Sequence, residues 1–416
     1  MSTGAAGFLQ RYEDLVGRLP GDSALRAAAA IAFRDAGLPG GTPRRRLEAW
    51  KYTSLRPVAE ADFQSSATPR HEIETMLAHL PLLDAPRLVF AGSIFRPALS
   101  VMPPVGFTLF ADQPDFGTLC WPDREPMVAL NTMLANDGAA LHVPANFDGG
   151  VVQLVSLAAG DGDFHPRHSI RLARGARLTL VEISAGHGNY LLNTVAEMHV
   201  AEGAHLTHIR LQDEAVTAFH VSTTYADVKE GGTYDSFTLN LGARLSRTEV
   251  HADLSGSGAI AHLNAVQILT GSQHADFTTV VGHTAPNGTS RQTVKNVLAG
   301  KSRGVFQGKI EVARDAQKTD GYQMNQALLL SPDAEVDSKP ELEIFADDVK
   351  CSHGATVGEL DAEQMFYLRS RGIPDSEARS ILVRAFLAEA LDAVANDTIR
   401  GRLETAVEQW WERQRP

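Results

Sequence analysis

A cysteine and a histidine stand two residues apart in Lys350-Cys351-Ser352-His353-Gly354. Thiolate and imidazole together suit zinc or iron–sulfur chemistry. The stretch around them reads as a strand, and on a strand side chains at i and i+2 share one face, roughly 7 Å apart. Both groups would then look into the same space. Two ligands do not complete a site, so the others must come from elsewhere in the fold or from another chain. The competing role is ordinary: a half-buried thiol and a hydrogen-bonded imidazole, cysteine being among the most often buried residues.

Other chemistry-bearing patterns carry less. Ala299-Gly-Lys-Ser302 ends like a phosphate-binding loop, but Lys295 stands where its first glycine belongs. Gly256-Ser-Gly258-Ala-Ile-Ala261 resembles a relaxed dinucleotide fingerprint, with Asp276 at a tempting distance, yet no helix follows it. His165 with His168, and His205 with His208, have spacings seen in metal sites. A spacing of three does not share a strand face, so structural or surface roles are expected. Asp347 and Asp348 point to opposite faces if on a strand and cannot flank a glycosidic bond as a pair.

The elements that must position Cys351 and His353 fall into three regions. Residues 1–137 read as a mostly helical domain with irregular strands. Asp22 and Ser23 can cap Ala24–Ala36, which Gly37 stops; Arg44–Leu55, Arg70–Leu80 and Pro126–Ala135 are further helical candidates. Residues 138–358 alternate apolar and polar in many short runs, with glycines recurring at Gly175, Gly203, Gly231 and Gly258. A period near 28 residues, each glycine leading into a strand, predicts a β-helix of about eight coils, roughly 40 Å long at ~4.8 Å per strand, in preference to an antiparallel sandwich. Residues 359–416 read as a helical domain able to cover the end of that solenoid. Asp361-Ala-Glu-Gln364 opens Met365–Arg371, Pro374 and Asp375 open a helix to about Val394, and Thr398–Arg413 is a third. Ile381, Leu382, Ala385, Phe386 and Leu391 are expected on the apolar stripe of the second.

Composition narrows the function. The chain has 416 residues and a net charge of −12, with basic residues spread thinly, which argues against a nucleic acid as partner. The one dense basic run, Arg44-Arg45-Arg46, reads as the exposed edge of a helix start. Two cysteines, Cys120 and Cys351, make no disulfide framework and fit a reducing, cytoplasmic setting. No basic-then-apolar leader and no run near 18 apolar residues appears, so neither export nor a membrane partner is expected.

Val349-Lys-Cys-Ser-His-Gly-Ala-Thr-Val-Gly-Glu-Leu-Asp361, continuing through Gln364-Met-Phe-Tyr-Leu-Arg-Ser-Arg-Gly-Ile-Pro374, resembles the SufB/SufD family of the SUF iron–sulfur cluster assembly machinery. Arg46-Leu-Glu-Ala-Trp-Lys-Tyr-Thr-Ser-Leu55 and the stretch from Val128-Ala-Leu-Asn-Thr132 through Leu141-His-Val-Pro144 are similar to further family segments, in the same order. The resemblance favours the SufD branch: Gln326 in Met324-Asn-Gln-Ala-Leu-Leu329 stands at or near the place of a SufB cysteine, and Ser352-His-Gly-Ala-Thr356 replaces SufB's Glu-His-Glu-Ala-Thr.

The resemblance implies a mainly β protein with helical ends, a right-handed parallel β-helix between an N-terminal and a C-terminal helical domain. It implies a non-catalytic scaffold subunit, working with a SufB-like subunit and a SufC-like ATPase. Iron or a nascent iron–sulfur cluster would be held transiently and shared with SufB, by His353 first and Cys351 second. Phe366, Tyr367, Leu368 and Arg371 become candidates for the ATPase contact. Whether iron, sulfur or reduced flavin binds this subunit itself stays open at this point. So does a homodimer of the isolated chain, which an exposed solenoid edge favours. A SufB-like paralogue, a purely structural partner and, more remotely, a carbohydrate-active β-helix enzyme are the rival readings.

Overall fold

The computed structural model describes residues 4–40, 47–63 and 69–413; the basic run Arg44–Arg46 lies outside them. The middle of the chain is a parallel β-solenoid of two facing ten-stranded sheets, each coil giving one strand to each. The eight coils enter the first sheet at Asp148, Arg177, His205, Thr233, Ile260, Thr289, Asp320 and Lys350. Register fixes the repeat directly: His205 pairs with Arg177 and Thr233 pairs with His205, 28 residues each way.

The glycine repeat has a backbone cause. Gly175, Gly203, Gly231 and Gly258 all have φ between 59° and 69°, and each lies two residues before its strand in the first sheet. A left-handed corner there lets each amide bond the carbonyl of the next coil, Gly203 to Glu230 and Gly231 to Ser257. The ladder continues in both directions without glycine: Asn146, Asn287 and Lys318 adopt the same conformation at the same corner. Asparagine tolerates it, which explains why the pattern fades from the sequence outside residues 175–258. The phosphate-loop look-alike is another such corner, with Gly300 at φ 67° between Thr289–Leu298 and Arg303–Val312.

Helices sheath the solenoid on two sides. At the N-terminal end Asp22 caps Ser23–Ala36 by accepting from the Ala24 and Leu25 amides. That helix packs with Pro126–Leu134 against the outer face of the second sheet, through Phe33, Met133, Leu130, Phe219 and Leu245. The helix expected over Arg44–Leu55 shrinks, within its described part, to the single turn Glu48–Trp50. Trp50 and Thr53 there turn onto the second sheet instead.

The C-terminal helices Ala362–Ser370, Asp375–Leu391 and Asp397–Arg413 do not cover the end of the solenoid. The first packs against the second, and the second and third lie along the outer face of the first sheet. Val181, Ile183, Ile209, Leu211, Phe237, Leu239, Val266 and Ile268 form an outward apolar stripe across its strands. Val383, Leu387, Ala390, Leu391, Leu403 and Trp410 bury that stripe. The buried face of Asp375–Leu391 is therefore Val383, Leu387 and Ala390 with Leu391. Ile381, Leu382 and Phe386 are only half-buried and Ala385 is exposed, because the first C-terminal helix, rather than the sheet, borders that side. Lys295 reaches out of the sheet to the Phe386 carbonyl at 2.7 Å and to Glu389 at 2.5 Å, pinning the helix in place.

The paired histidines are structural, as their spacing suggested. His168 accepts from the Ala139 amide, His165 pairs with Asp163, and His208 lies between Tyr234 and Glu182. Burial holds His165 at about 3 and His168 and His283 at about 4. These three bind protons near pH 6.5 only when unfolded, so stability falls as pH drops through the window from about 6.5 to 4. Glu125 offsets one of them, since burial first and the Glu249 charge second push its carboxyl up to about 7. These four groups together are expected to contribute a loss on the order of 2 kcal/mol per pH unit near pH 5. Urea unfolding at pH 7.5, 6 and 5 measures it; a midpoint unchanged down to pH 5 rules out neutral burial of these rings.

Candidate functional site at the open end of the solenoid

The last coil has no successor. Among the described residues, Lys350–Gly358 pairs on one side only, with Asp320–Leu329, and Glu335–Ile344 pairs only with Arg303–Val312. Each strand therefore turns a row of unpaired amides and carbonyls outward. Ile344, Phe345 and Val357 are exposed there, Phe345 to 62%.

Cys351 and His353 belong to this end. Register sets Cys351 beside Gly321 and His353 beside Gln323, and both of those neighbours are buried in the solenoid interior. The two side chains thus occupy interior-facing positions that would be enclosed if another coil followed. Cys351 is half-buried against Ile310, Val312, Ala316 and Ala346. Burial, with a smaller push from Asp320, holds its thiol above the ordinary value. His353 is exposed and has no hydrogen bond among the described residues. The imidazole is therefore available as a ligand without a conformational change, whereas the thiol must first lose its proton from an apolar setting. Gln326, near the place of the SufB cysteine, pairs with Lys295 and Thr356 and lies on the outward row, not with Cys351 and His353.

The four contact candidates lie at the start of the C-terminal helices, where Phe366 shares a cleft with Leu329, Leu330, Ser331 and Pro332, the segment leading into Glu335–Ile344. Asp361 caps Ala362–Ser370 by accepting from the Glu363 and Gln364 amides. That helix buries no residue. Phe366 is 74% and Tyr367 55% exposed, Leu368 is half-buried, and the exposed Arg371 guanidinium lies 4.6 Å from the Tyr367 ring centre.

A polar seam escapes sequence reading altogether. Arg247, fully buried, donates to Glu249 at 2.9 Å and to Asp276 at 2.5 Å, beneath the Trp50 ring at 4.2 Å. Thr53 donates to Asp276 and contacts His274. Burial pushes the Glu249 carboxyl up, but the Arg247 charge and the His251 hydrogen bond outweigh it and hold the group at about 2. Arg247, Glu249 and His251 alternate along Leu245–Leu254, a pattern that normally marks a solvent face. Here the N-terminal domain covers it. Trp50 and Thr53 lie within the segment resembling the family's N-terminal signature, and this clamp is what they do. Asn131 of Val128–Thr132 likewise donates to the Pro166 and Asn193 carbonyls, tying its helix to the sheet.

Comparison with known proteins agrees with the coil architecture. Residues 155–386 match the family described as SUF system FeS cluster assembly, SufBD core domain. The chain is 33% identical over 381 residues to the iron–sulfur cluster assembly protein SufD of Escherichia coli K12, covering 89% of each chain. It is 31% identical over 394 residues to an iron–sulfur cluster assembly SufBD family protein of Synechocystis, covering 88% of this chain and 86% of the relative. With a matched core and near-full-length relatives, the chain belongs to the SufBD family of iron–sulfur cluster assembly proteins and is of the SufD type.

Proposed function

We propose that this chain is the SufD-type, non-catalytic subunit of a scaffold complex that builds iron–sulfur clusters at its interface with a SufB-type subunit. The observation that carries the reading is the open last coil, with His353 and Cys351 on its interior-facing row. A second solenoid docked on those edges would complete the hydrogen-bond ladder and enclose His353. Iron, or a cluster being formed, is cargo in this reading, and the missing ligands come from the partner. His353 acts first, because Cys351 is held protonated by its apolar neighbours.

A SufC-type ATPase would dock on Ala362–Ser370, where Phe366 and Tyr367 offer apolar area and Arg371 a charge. Motion of that helix passes to the first sheet through Asp375–Leu391 and its Lys295 anchor. ATP hydrolysis by the partner could thereby alter the fit between the two solenoids.

His353→Ala is the direct test. Because the residue is exposed, stability should change by no more than about 0.5 kcal/mol. The purified three-component complex should still assemble and still hydrolyse ATP, yet lose most of its cluster absorbance after supply of iron and sulfide. Normal cluster yield in an intact His353→Ala complex would remove this residue from the mechanism.

A further inference from the structure

Glu125, Glu249 and His251 come together at the seam between the N-terminal domain and the solenoid, their donor atoms all within 4.8 Å of one another. They arrive from different directions. Glu125 precedes Pro126–Leu134, while Glu249 and His251 lie on one face of Leu245–Leu254. The His251 Nε2 atom is 2.9 Å from Glu249 Oε1. Two ligands of one first-row ion, each bound at 2.0–2.2 Å, lie about 3 Å apart, so this pair already has ligand spacing.

Three further features distinguish the cluster from a chance gathering of acids. The second oxygen of Glu249 is fixed by Arg247 at 2.9 and 3.1 Å, which turns the first oxygen toward His251. The Tyr225 ring stacks on the His251 imidazole at 4.6 Å and 10°, setting its plane. Glu125 occupies a helix N-cap position but does not cap, and its carboxylate makes no hydrogen bond among the described residues. Its carboxylate is therefore not committed to another partner.

We propose that Glu125, Glu249 and His251 form a binding site for a divalent first-row transition cation, which fastens the N-terminal domain to the solenoid. Two carboxylate oxygens and one imidazole nitrogen suit zinc, iron(II), cobalt or manganese, and the nitrogen disfavours calcium and magnesium. His251 and Glu125 are both half-buried, so the remaining coordination positions are open to water. This site is separate from the Cys351–His353 row and does not depend on the assembly reading.

Cobalt(II) titration of the full-length chain, followed by its visible ligand-field bands and by calorimetry, tests the proposal. The wild-type chain is expected to take up one equivalent at this site and to melt at a higher temperature when loaded. Glu125→Gln removes a ligand while relieving a like-charge contact, so the chain should fold, as its circular dichroism and melting curve would verify. Its cobalt affinity should fall by about 100-fold, the upper end of what loss of an outer-shell partner alone would cost. The metal-induced rise in melting temperature should vanish with it. A Cys351→Ser, His353→Ala double variant should keep both properties. Any other pattern overturns the site: no saturable binding by the wild type, unchanged binding by Glu125→Gln, or loss in the double variant.

Discussion

Truncation after Leu360 is expected to yield an insoluble or aggregated chain rather than a solenoid that merely lacks a docking module. The last two C-terminal helices, Asp375–Leu391 and Asp397–Arg413, bury the outward stripe of the first sheet, from Val181 and Ile183 to Val297 and Leu328. Each such aliphatic or aromatic side chain contributes about 1.5–3 kcal/mol when fully buried. Baring eight to ten of them forfeits on the order of 15–25 kcal/mol, more than the roughly 5–15 kcal/mol by which domains are stable. Light scattering and dye binding on residues 1–360 would read the outcome. A monodisperse fragment melting near the full chain would refute this packing. Deletion consequently cannot test the proposed ATPase docking by itself, because it damages the solenoid at the same time. Phe366→Asp and Tyr367→Asp can, since that helix buries nothing: they should abolish co-purification of the ATPase while leaving the melting temperature in place.

Arg247→Met is expected to destabilise the protein by about 3–5 kcal/mol at neutral pH. The guanidinium is fully buried between two carboxylates, those of Glu249 and Asp276. Methionine fills much of the volume but leaves both carboxylates buried without their counter-ion. Thr53, Thr278 and Gln307 still donate to Asp276, so Glu249 is the more exposed to the loss. In the wild type Glu249 titrates at about 2, below its unfolded value, and its stabilisation is lost only as pH falls through that range. In the variant its pKa should rise, so the difference between the proteins should shrink as pH is lowered from 7 to 5. Denaturant melts across that range test the sign. Combining Arg247→Met with Glu249→Gln and Asp276→Asn should recover part of the loss, and a variant as stable as wild type at pH 7 would contradict the buried pair.

The sequence showed the solenoid through a small set of residues. Gly175, Gly203, Gly231 and Gly258 were legible because a left-handed corner nearly demands glycine. Asn287 and Lys318 make the same corner but carry no such mark, so the repeat could be seen only in part. Cys351 and His353 were legible by residue type and spacing. Their exposure was not, since it depends on the absence of a ninth coil and on where the C-terminal helices pack. The expectation that these helices cover the end came from the general need to protect strand edges. Val181, Ile183, Ile209 and Leu211 decided otherwise, making strands that are apolar on both faces. The Arg247 seam was hidden for the converse reason: a polar row on a strand looks solvated until another domain is known to lie on it.

The left-handed corners from Asn146 to Lys318 also act as a ruler. Coil length drifts from 27 residues between Thr233 and Ile260 to 31 between Thr289 and Asp320, yet every strand still starts two residues after its corner. Length changes are therefore absorbed in the rest of each coil, and strand phase is reset once per turn. Short insertions leave the height of the His353 row above the N-terminal domain untouched; only gain or loss of a whole coil can move it, in steps of about 4.8 Å. Two such subunits meeting end to end inherit a separation between their outer domains that is counted in coils.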